Sequence, residues 1–221
     1  MRRADDGVDY GALRRVLRTA LVADALDAVG LRSQCLSAGL VPLAAGTLLI
    51  GRAFPVGGIR VESPPEAPYV GLLRSLDALA ADDVYVISSG DRPDVALWGE
   101  LLSTAAMARG AEGAICDGFV RDVSLVRESG FRVFARGAVP YDINGRLEVV
   151  SIGTPVVIDG VSIGLGDLLV ADDDGVAVVP AGVRDEVVAR ASAKGDRESE
   201  FRTAVRRGAL PSEAFARYGV L

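Results

Sequence analysis

The chain has 221 residues, of which 50% are hydrophobic, 24% charged and 5% aromatic, a globular profile with small aliphatic packing that suits one large α/β domain or two small ones. A net charge of −6 argues against a sequence-independent grip on nucleic acid, which needs a Lys/Arg surplus on one face. Histidine is absent, which excludes Ser-His-Asp and Cys-His catalysis, His-ligated zinc and imidazole acid–base work. Catalysis must run on carboxylates, Arg, Lys, Tyr, backbone amides, water or an oxygen-liganded metal.

Cys35 and Cys116 lack the close spacing of a thiolate metal site and read as reduced packing residues. The opening MRRADDGVDY has no apolar core after its arginines, unlike a secretory signal. The longest apolar stretch, 40–50, carries Pro42 and Gly46 and falls short of the ~20 residues of a membrane helix. The expectation is one cytoplasmic core with terminal additions and no membrane contact.

Apolar positions at helical spacing (Leu13, Val16, Leu17, Ala20, Leu21, Ala25, Leu26) predict an amphipathic helix over 8–29, breakable near Thr19 and ended by Gly30. Over 40–61 the pattern turns to β-type segments punctuated by glycines, with Pro55 placing its piece at an edge or bend. SPPEAP (63–68) reads as a stiff loop, 70–79 as a short helix, and 84–88 as a strand with a turn-rich exit, SSGDRPD. A turn at Trp98 and Gly99 leads to a helix over 100–109, a break at Gly110, a short strand over 113–116 and a polar loop from Asp117 to Asp122. A helix over 123–129 and a strand over 131–135 follow, then a tight turn at Asn144-Gly145. Strands at 156–158 and 161–163 flank Asp159-Gly160, the strongest hairpin signal in the chain. Strands at 167–170 and 176–179 flank an acidic turn, and helices over 183–206 and 212–218 close the chain. The first two thirds alternate helix and strand as parallel units do, whereas 142–180 read as antiparallel β; a mixed, layered α/β sheet follows.

The stretch 99–122, GELLSTAAMARGAEGAICDGFVRD, carries the candidate chemistry. Gly99 lets backbone approach a ligand, and the unpaired amides of Glu100, Leu101 and Leu102 make a site for a small carboxylate or phosphate. The same residues equally describe an ordinary helix start, with Glu100 complementing the dipole. Glu100 would repel an anion unless a metal or a proton offsets its charge. Arg121 offers a planar fork of donors to a carboxylate or enolate, and Asp122 a hard oxygen ligand to Mg²⁺ or Mn²⁺. The alternative is a local ion pair, with Asp122 capping the next helix. The run Asp172-Asp173-Asp174 lacks the alternate oxygens and distal Glu of a calcium loop and reads as a polar turn closed by Gly175. Gly164-Leu165-Gly166 lacks a third glycine and a following helix, so no nucleotide is assigned. The run 184–207 reads as a solvated helix face, from which one acid, Glu198 foremost, could reach another subunit.

Three strings together carry a resemblance: WGELLSTAAMARGAEGAICDGFVRDV (98–123), P-x-D-x-x-G-R at Pro140, Asp142, Gly145 and Arg146, and GD-x-L-x-ADDDGVAVVP from Gly166 to Pro180. They resemble the RraA-like family, which includes 4-hydroxy-4-methyl-2-oxoglutarate/4-carboxy-4-hydroxy-2-oxoadipate aldolases. The likeness runs from Asp24-Ala25-Leu26 to Tyr218-Gly219. It implies a layered β/β/α sandwich with mixed sheets, one domain over 1–221 with an N-terminal helix and a C-terminal helical extension over about 183–221. Homotrimers, often paired into hexamers, with sites between subunits, are implied too. The activity implied is that of a class II, divalent-metal pyruvate aldolase acting on a small 2-oxoacid, with oxaloacetate decarboxylation as companion.

By that resemblance Gly99 to Leu102 hold the pyruvate carboxylate, Arg121 binds the ketoacid and stabilises the enolate, and Asp122 ligates Mg²⁺ or Mn²⁺ partly through water. Glu198 from a neighbouring subunit is the nearest match to an acid that completes the site. Glu100 joins Arg121 and Asp122 in the candidate catalytic set and favours the aldolase side. The one lysine, Lys194, is set among charged helix residues, which speaks against an imine-forming aldolase. The family also contains proteins that inhibit ribonuclease E by binding it, so a regulatory module is the second expectation. A third is recruitment to another 2-oxoacid, with specificity set by loops 63–69, 88–93 and 140–146.

Overall fold

The computed structural model describes residues 7–90 and 94–221; the expected substrate loop 88–93 therefore falls partly outside the described residues. The elements in chain order are α1 (Tyr10–Val16), α2 (Thr19–Ala28), β1 (Val41–Pro42), β2 (Leu49–Arg60), α3 (Val70–Asp77), β3 (Asp83–Ser88), β4 (Ala96–Trp98), α4 (Glu100–Ala108) and β5 (Gly113–Val120). They continue as α5 (Val123–Ser129), β6 (Arg132–Ala138), β7 (Leu147–Ile152), β8 (Val156–Ile158), β9 (Val161–Ile163), β10 (Leu168–Asp172), β11 (Gly175–Val179), α6 (Arg184–Arg206) and α7 (Pro211–Tyr218).

The N-terminal helical pattern breaks at Leu17 and Arg18, both extended. Asp9 caps α1 by accepting from the Ala12 amide at 2.8 Å, while α2 has no cap of its own and borrows one from the acidic turn. The Asp172 carboxylate accepts from the Thr19 amide at 2.9 Å and from its hydroxyl, satisfying donors that a helix start leaves orphaned. Asp173 accepts from the Gly46 amide. The acidic run is thus a polar turn that ties two distant segments down, as its sequence suggested.

The fold is mixed α/β. Strands β2, β3, β5 and β6 lie parallel side by side, and β4 adds to β5 in the same sense. β1, β7, β10 and β11 join antiparallel, giving the order β1-β6-β5-β3-β2-β10-β11 among the described residues, with β7 also on β2 and β8-β9 as a separate hairpin. Helices α3, α4 and α5 cover one face of the parallel strands over a core with Tyr85, Trp98 and Phe131. The opposite face packs against the β8-β9 hairpin and the inner face of β10-β11. The outer face of β10-β11 takes α1, α2 and the first half of α6. No described helix is long and apolar enough to cross a membrane.

Two sequence expectations are corrected. Pro55 lies inside the longest strand rather than at an edge or bend, because the partner on its amide side changes there. β10 pairs as far as Arg52, β7 begins at Val56, and no ladder asks Pro55 for the N–H it lacks. Residues Asp117 to Val120 continue β5 instead of forming a polar loop. The pairing with β6 slips between Cys116 and Phe119, so Asp117-Gly118 marks a bulge within the strand.

Candidate functional site

The site forms where two parallel strands end together. The register sets Trp98 of β4 beside Val120 of β5, so Gly99, which opens α4, faces Arg121 and Asp122, which lead into α5. The Arg121 amide donates to the Trp98 carbonyl at 2.9 Å. Beneath this junction the buried Trp98 indole N–H donates to Ser103 Oγ at 2.8 Å, and that hydroxyl donates to the Gly99 carbonyl at 3.0 Å. The indole itself is held between Tyr85 and Phe131, at centroid distances of 4.9 and 5.8 Å. The floor of the site is rigid.

Above it lies a cavity of about 340 Å³, lined by Gly99, Leu101, Leu102, Arg121 and Asp122 together with Tyr69, Asp142 and apolar residues of α3 and α4. No side chain caps α4, so its first amides keep hydrogen-bonding capacity for a ligand. Gly99 is extended (φ −165°), and its lack of a Cβ matters for space: an added one would stand 2.9 Å from Asp122 Oδ2 and 3.2 Å from Arg121 Cγ.

Arg121 and Asp122 are half exposed, 39% and 42%, with Nε and Oδ2 at 3.8 Å. That distance is too long for a hydrogen bond, so the two groups face the cavity without being locked together. Asp122 takes the first capping position of α5 with φ +56°, yet its side chain makes no cap bond. The capping alternative therefore does not account for it. Its nearest donor is the Glu100 amide at 3.5 Å.

Glu100 contributes its backbone alone: its carboxylate accepts from Thr104 Oγ1 at 2.8 Å, one turn along α4, and does not line the cavity. Glu198, on α6, pairs with Arg202 at 3.3 Å and Lys194 at 3.9 Å and stays outside the cavity of its own chain.

Two residues assigned no individual role from the sequence complete the wall. The Tyr69 hydroxyl donates to Asp142, whose other oxygen lies 3.6 Å from Arg121 Nη2. The hydrogen bond to Asp142, aided by burial, pushes the Tyr69 hydroxyl above its ordinary pKa, so it remains a donor. Tyr69 has φ +64°, a conformation rare for a bulky side chain. Asp142 is brought in by a bridge to Ala96. Asp142 stood in P-x-D-x-x-G-R and in loop 140–146, and Tyr69 ended loop 63–69, both loops expected to set specificity.

Among the described residues no group of three His, Cys, Asp or Glu side chains is arranged to hold a metal. One open carboxylate, Asp122, suits a Mg²⁺ or Mn²⁺ ion that keeps most of its water, not a dehydrated cage, while the helix amides suit an anion beside it. The donor set fits that kind of ion.

Comparison with known proteins agrees with this architecture. The family model described as RraA-like, Aldolase/RraA, matches residues 19–178. Protein DlpA of Legionella pneumophila is 31% identical over 196 residues, covering 89% of this chain but 31% of that protein, so the chain spans under a third of DlpA. A Halalkalibacterium halodurans protein that carries the provisional name 4-hydroxy-4-methyl-2-oxoglutarate aldolase is 28% identical over 187 residues, covering 85% of this chain and 84% of its own. Among solved structures, an uncharacterized protein from Pseudomonas syringae superposes with a TM-score of 0.80 at 31% identity, covering 92% of this chain and 94% of that one. Streptomyces coelicolor RraAS2, described as an unusual member of the RNase ES inhibitor RraA protein family, gives 0.79 at 27% identity, covering 91% and 99%. With residues 19–178 matched and the whole fold shared, the chain belongs to the RraA-like family.

Proposed function

We propose that the protein is a divalent-metal pyruvate aldolase that cleaves 4-hydroxy-2-oxoacids and decarboxylates oxaloacetate as a side activity. The observation that carries this reading is the convergence of Arg121, Asp122 and the uncapped start of α4 on one cavity. Cleavage breaks the C3–C4 bond; the C4 hydroxyl passes its proton to a water and becomes a carbonyl, and the electron pair moves to the C2 oxygen as an enolate, the same water returning a proton to C3. Protonation at C3 then gives pyruvate. The amides at Glu100 to Leu102 bind the C1 carboxylate, and the Arg121 fork stabilises the charge arriving on the C2 oxygen. Asp142, clamped by Tyr69 and 3.6 Å from Arg121, keeps that fork turned into the cavity. A Mg²⁺ or Mn²⁺ ion on Asp122 would supply Lewis acidity to the ketoacid oxygens.

The reading includes a homotrimer or paired hexamer, in which Glu198 of one subunit approaches the cavity of the next. Leu101, Val150, Ile152 and Val157 are exposed apolar side chains that such contacts would cover. The likeness to RraAS2 favours a second reading, a non-catalytic regulator that binds an RNase E-type ribonuclease. The deciding experiment measures pyruvate release from oxaloacetate and from 4-hydroxy-2-oxoacids, with Mg²⁺ or Mn²⁺ and with EDTA. Metal-dependent release supports the enzyme; no release from any 2-oxoacid, together with ribonuclease binding, supports the regulator.

A further inference from the structure

Aldol cleavage needs a group that takes the proton of the C4 hydroxyl and gives one back at C3. Loss of CO₂ from oxaloacetate needs no such acceptor, because the leaving fragment carries no hydroxyl. Of the acids around the site, Glu100 is turned to Thr104, and Asp122 is the carboxylate that suits the metal. Asp142 is the other acid among the described lining residues. One of its oxygens accepts from the Tyr69 hydroxyl. The other, Oδ1, lies 3.6 Å from Arg121 Nη2, too far for a hydrogen bond, and its side chain is 28% exposed, which leaves that oxygen able to take a water.

The backbone under Asp142 is pinned on both sides. The Ala96 amide donates to the Tyr141 carbonyl at 2.8 Å, and Arg146 Nη1 donates to the Asp142 carbonyl at 3.0 Å. With the substrate's C1 carboxylate on the α4 amides and its C2 oxygen at Arg121, C3 and C4 follow one and two bonds further on, within a water's reach of a carboxylate beside Arg121.

We propose that Asp142, acting through one water, carries the proton from the C4 oxygen to C3. The inference rests on the aldolase reading above and assigns its proton carrier. As the water takes the C4 hydroxyl proton it gives one of its own to Asp142 Oδ1, while the C3–C4 bond breaks and its electron pair passes to the C2 oxygen. Asp142 then returns its proton through the same water to C3 as the enolate becomes the ketone, so carboxylate and water end as they began. In the reverse sense the same carboxylate removes a methyl proton from pyruvate. Tyr69 is a positioning residue: it holds the second oxygen and fixes the direction in which the first one points.

The test sets three readouts side by side on the full chain with Mg²⁺: exchange of the pyruvate methyl protons for deuterium in D₂O, followed by NMR; decarboxylation of oxaloacetate; and pyruvate affinity by titration calorimetry. Asp142→Asn should slow exchange by about 100-fold or more. It should slow decarboxylation by about tenfold or less, the part owed to the alignment of Arg121, and keep pyruvate affinity within about fivefold. Tyr69→Phe, which leaves the carrier in place, should slow exchange by about tenfold.

Equal losses of exchange and decarboxylation in Asp142→Asn would confine Asp142 to orienting Arg121 and overturn the proposal while the 2-oxoacid reading stands. Exchange that survives the substitution, or is missing from a wild type that decarboxylates oxaloacetate, overturns it in the same way. A greater loss of exchange in Tyr69→Phe than in Asp142→Asn makes the phenol the carrier and overturns it too. Wild-type protein that neither binds pyruvate nor decarboxylates oxaloacetate overturns the 2-oxoacid reading itself, and the proposal with it.

Discussion

Asp122 holds a left-handed backbone, φ +56°, which costs a non-glycine residue about 1–2 kcal/mol, and its side chain returns nothing to the helix it precedes. Strain without a local structural return is a mark of functional placement. Asn tolerates the same backbone, so Asp122→Asn tests the carboxylate alone. Metal-dependent pyruvate release is expected to fall by about 100-fold or more, with stability, read by thermal unfolding, changed by less than about 0.5 kcal/mol as at other exposed sites. Gly99 gives a complementary test. Its extended backbone suits alanine, but the new Cβ would press on Asp122 Oδ2 at 2.9 Å. Gly99→Ala should reduce kcat by about tenfold or more, because a site displaced by a fraction of an ångström loses its alignment, at a stability cost below about 1 kcal/mol. A loss of stability with kcat intact would make Gly99 a packing residue.

The β8-β9 hairpin shows how one element is anchored. Asp159 and Gly160 both have positive φ, the requirement of a two-residue primed turn, and the Asp-Gly signal announced it. Asp159 also accepts from the Ser37 amide and hydroxyl at 2.9 and 2.7 Å and from Arg136 at 2.8 Å. Burial alone would raise its pKa, but these bonds outweigh it and hold the carboxyl below its ordinary value. A carboxylate depressed in the fold adds stability above its unfolded pKa of about 4, and that contribution drains away as pH falls through the folded value. Asp159→Asn keeps the turn but should lose about 1–2 kcal/mol at pH 7. The gap from wild type should narrow progressively as pH falls below about 4, as urea unfolding at a series of acidic pH values would show. Ser103→Ala should cost about 1–3 kcal/mol in the same assay, since it strands the buried Trp98 N–H.

Local chemistry made several elements readable: the hairpin from Asp-Gly, the N-terminal helices from their apolar spacing, the end of α2 from Gly30. β4 was not, because Ala96 to Trp98 is three residues long and its strand character comes from pairing with β5. Nor was the Tyr69–Asp142 contact, made between residues 73 apart in the chain. Periodicity reports which face of an element is apolar, not which loops meet, so Arg121 and Asp122 were legible in sequence and the clamp beside them was not.

At the scale of the molecule, α6 is the outlying feature. Its 23 residues extend roughly 34 Å at the α-helical rise, yet Val187 and Ala191, both in its first half, are its buried residues. The second half, with Glu198, contributes no buried residue, and in the proposed oligomer it would act on another copy. If it does, one subunit's Asp122 and another's Glu198 serve one site, and two crippled variants can rescue each other. Glu198→Gln and Asp122→Asn, each inactive as a pure oligomer, should recover activity when unfolded together and reassembled. The recovered activity should approach about a quarter of wild type, the share of intact sites in random heterologous pairing. Assay of the mixture against each variant refolded alone reads the outcome, and no recovery would confine each site to one chain.

Trp98 is the one tryptophan in the chain, and it forms part of the cavity wall while only 1% exposed. Ultraviolet emission excited at the red edge of aromatic absorption therefore comes from a single fluorophore in the wall of the cavity. Occupancy of the cavity by the proposed ketoacid should then appear as a change in its intensity or colour, in the native protein and without any attached dye.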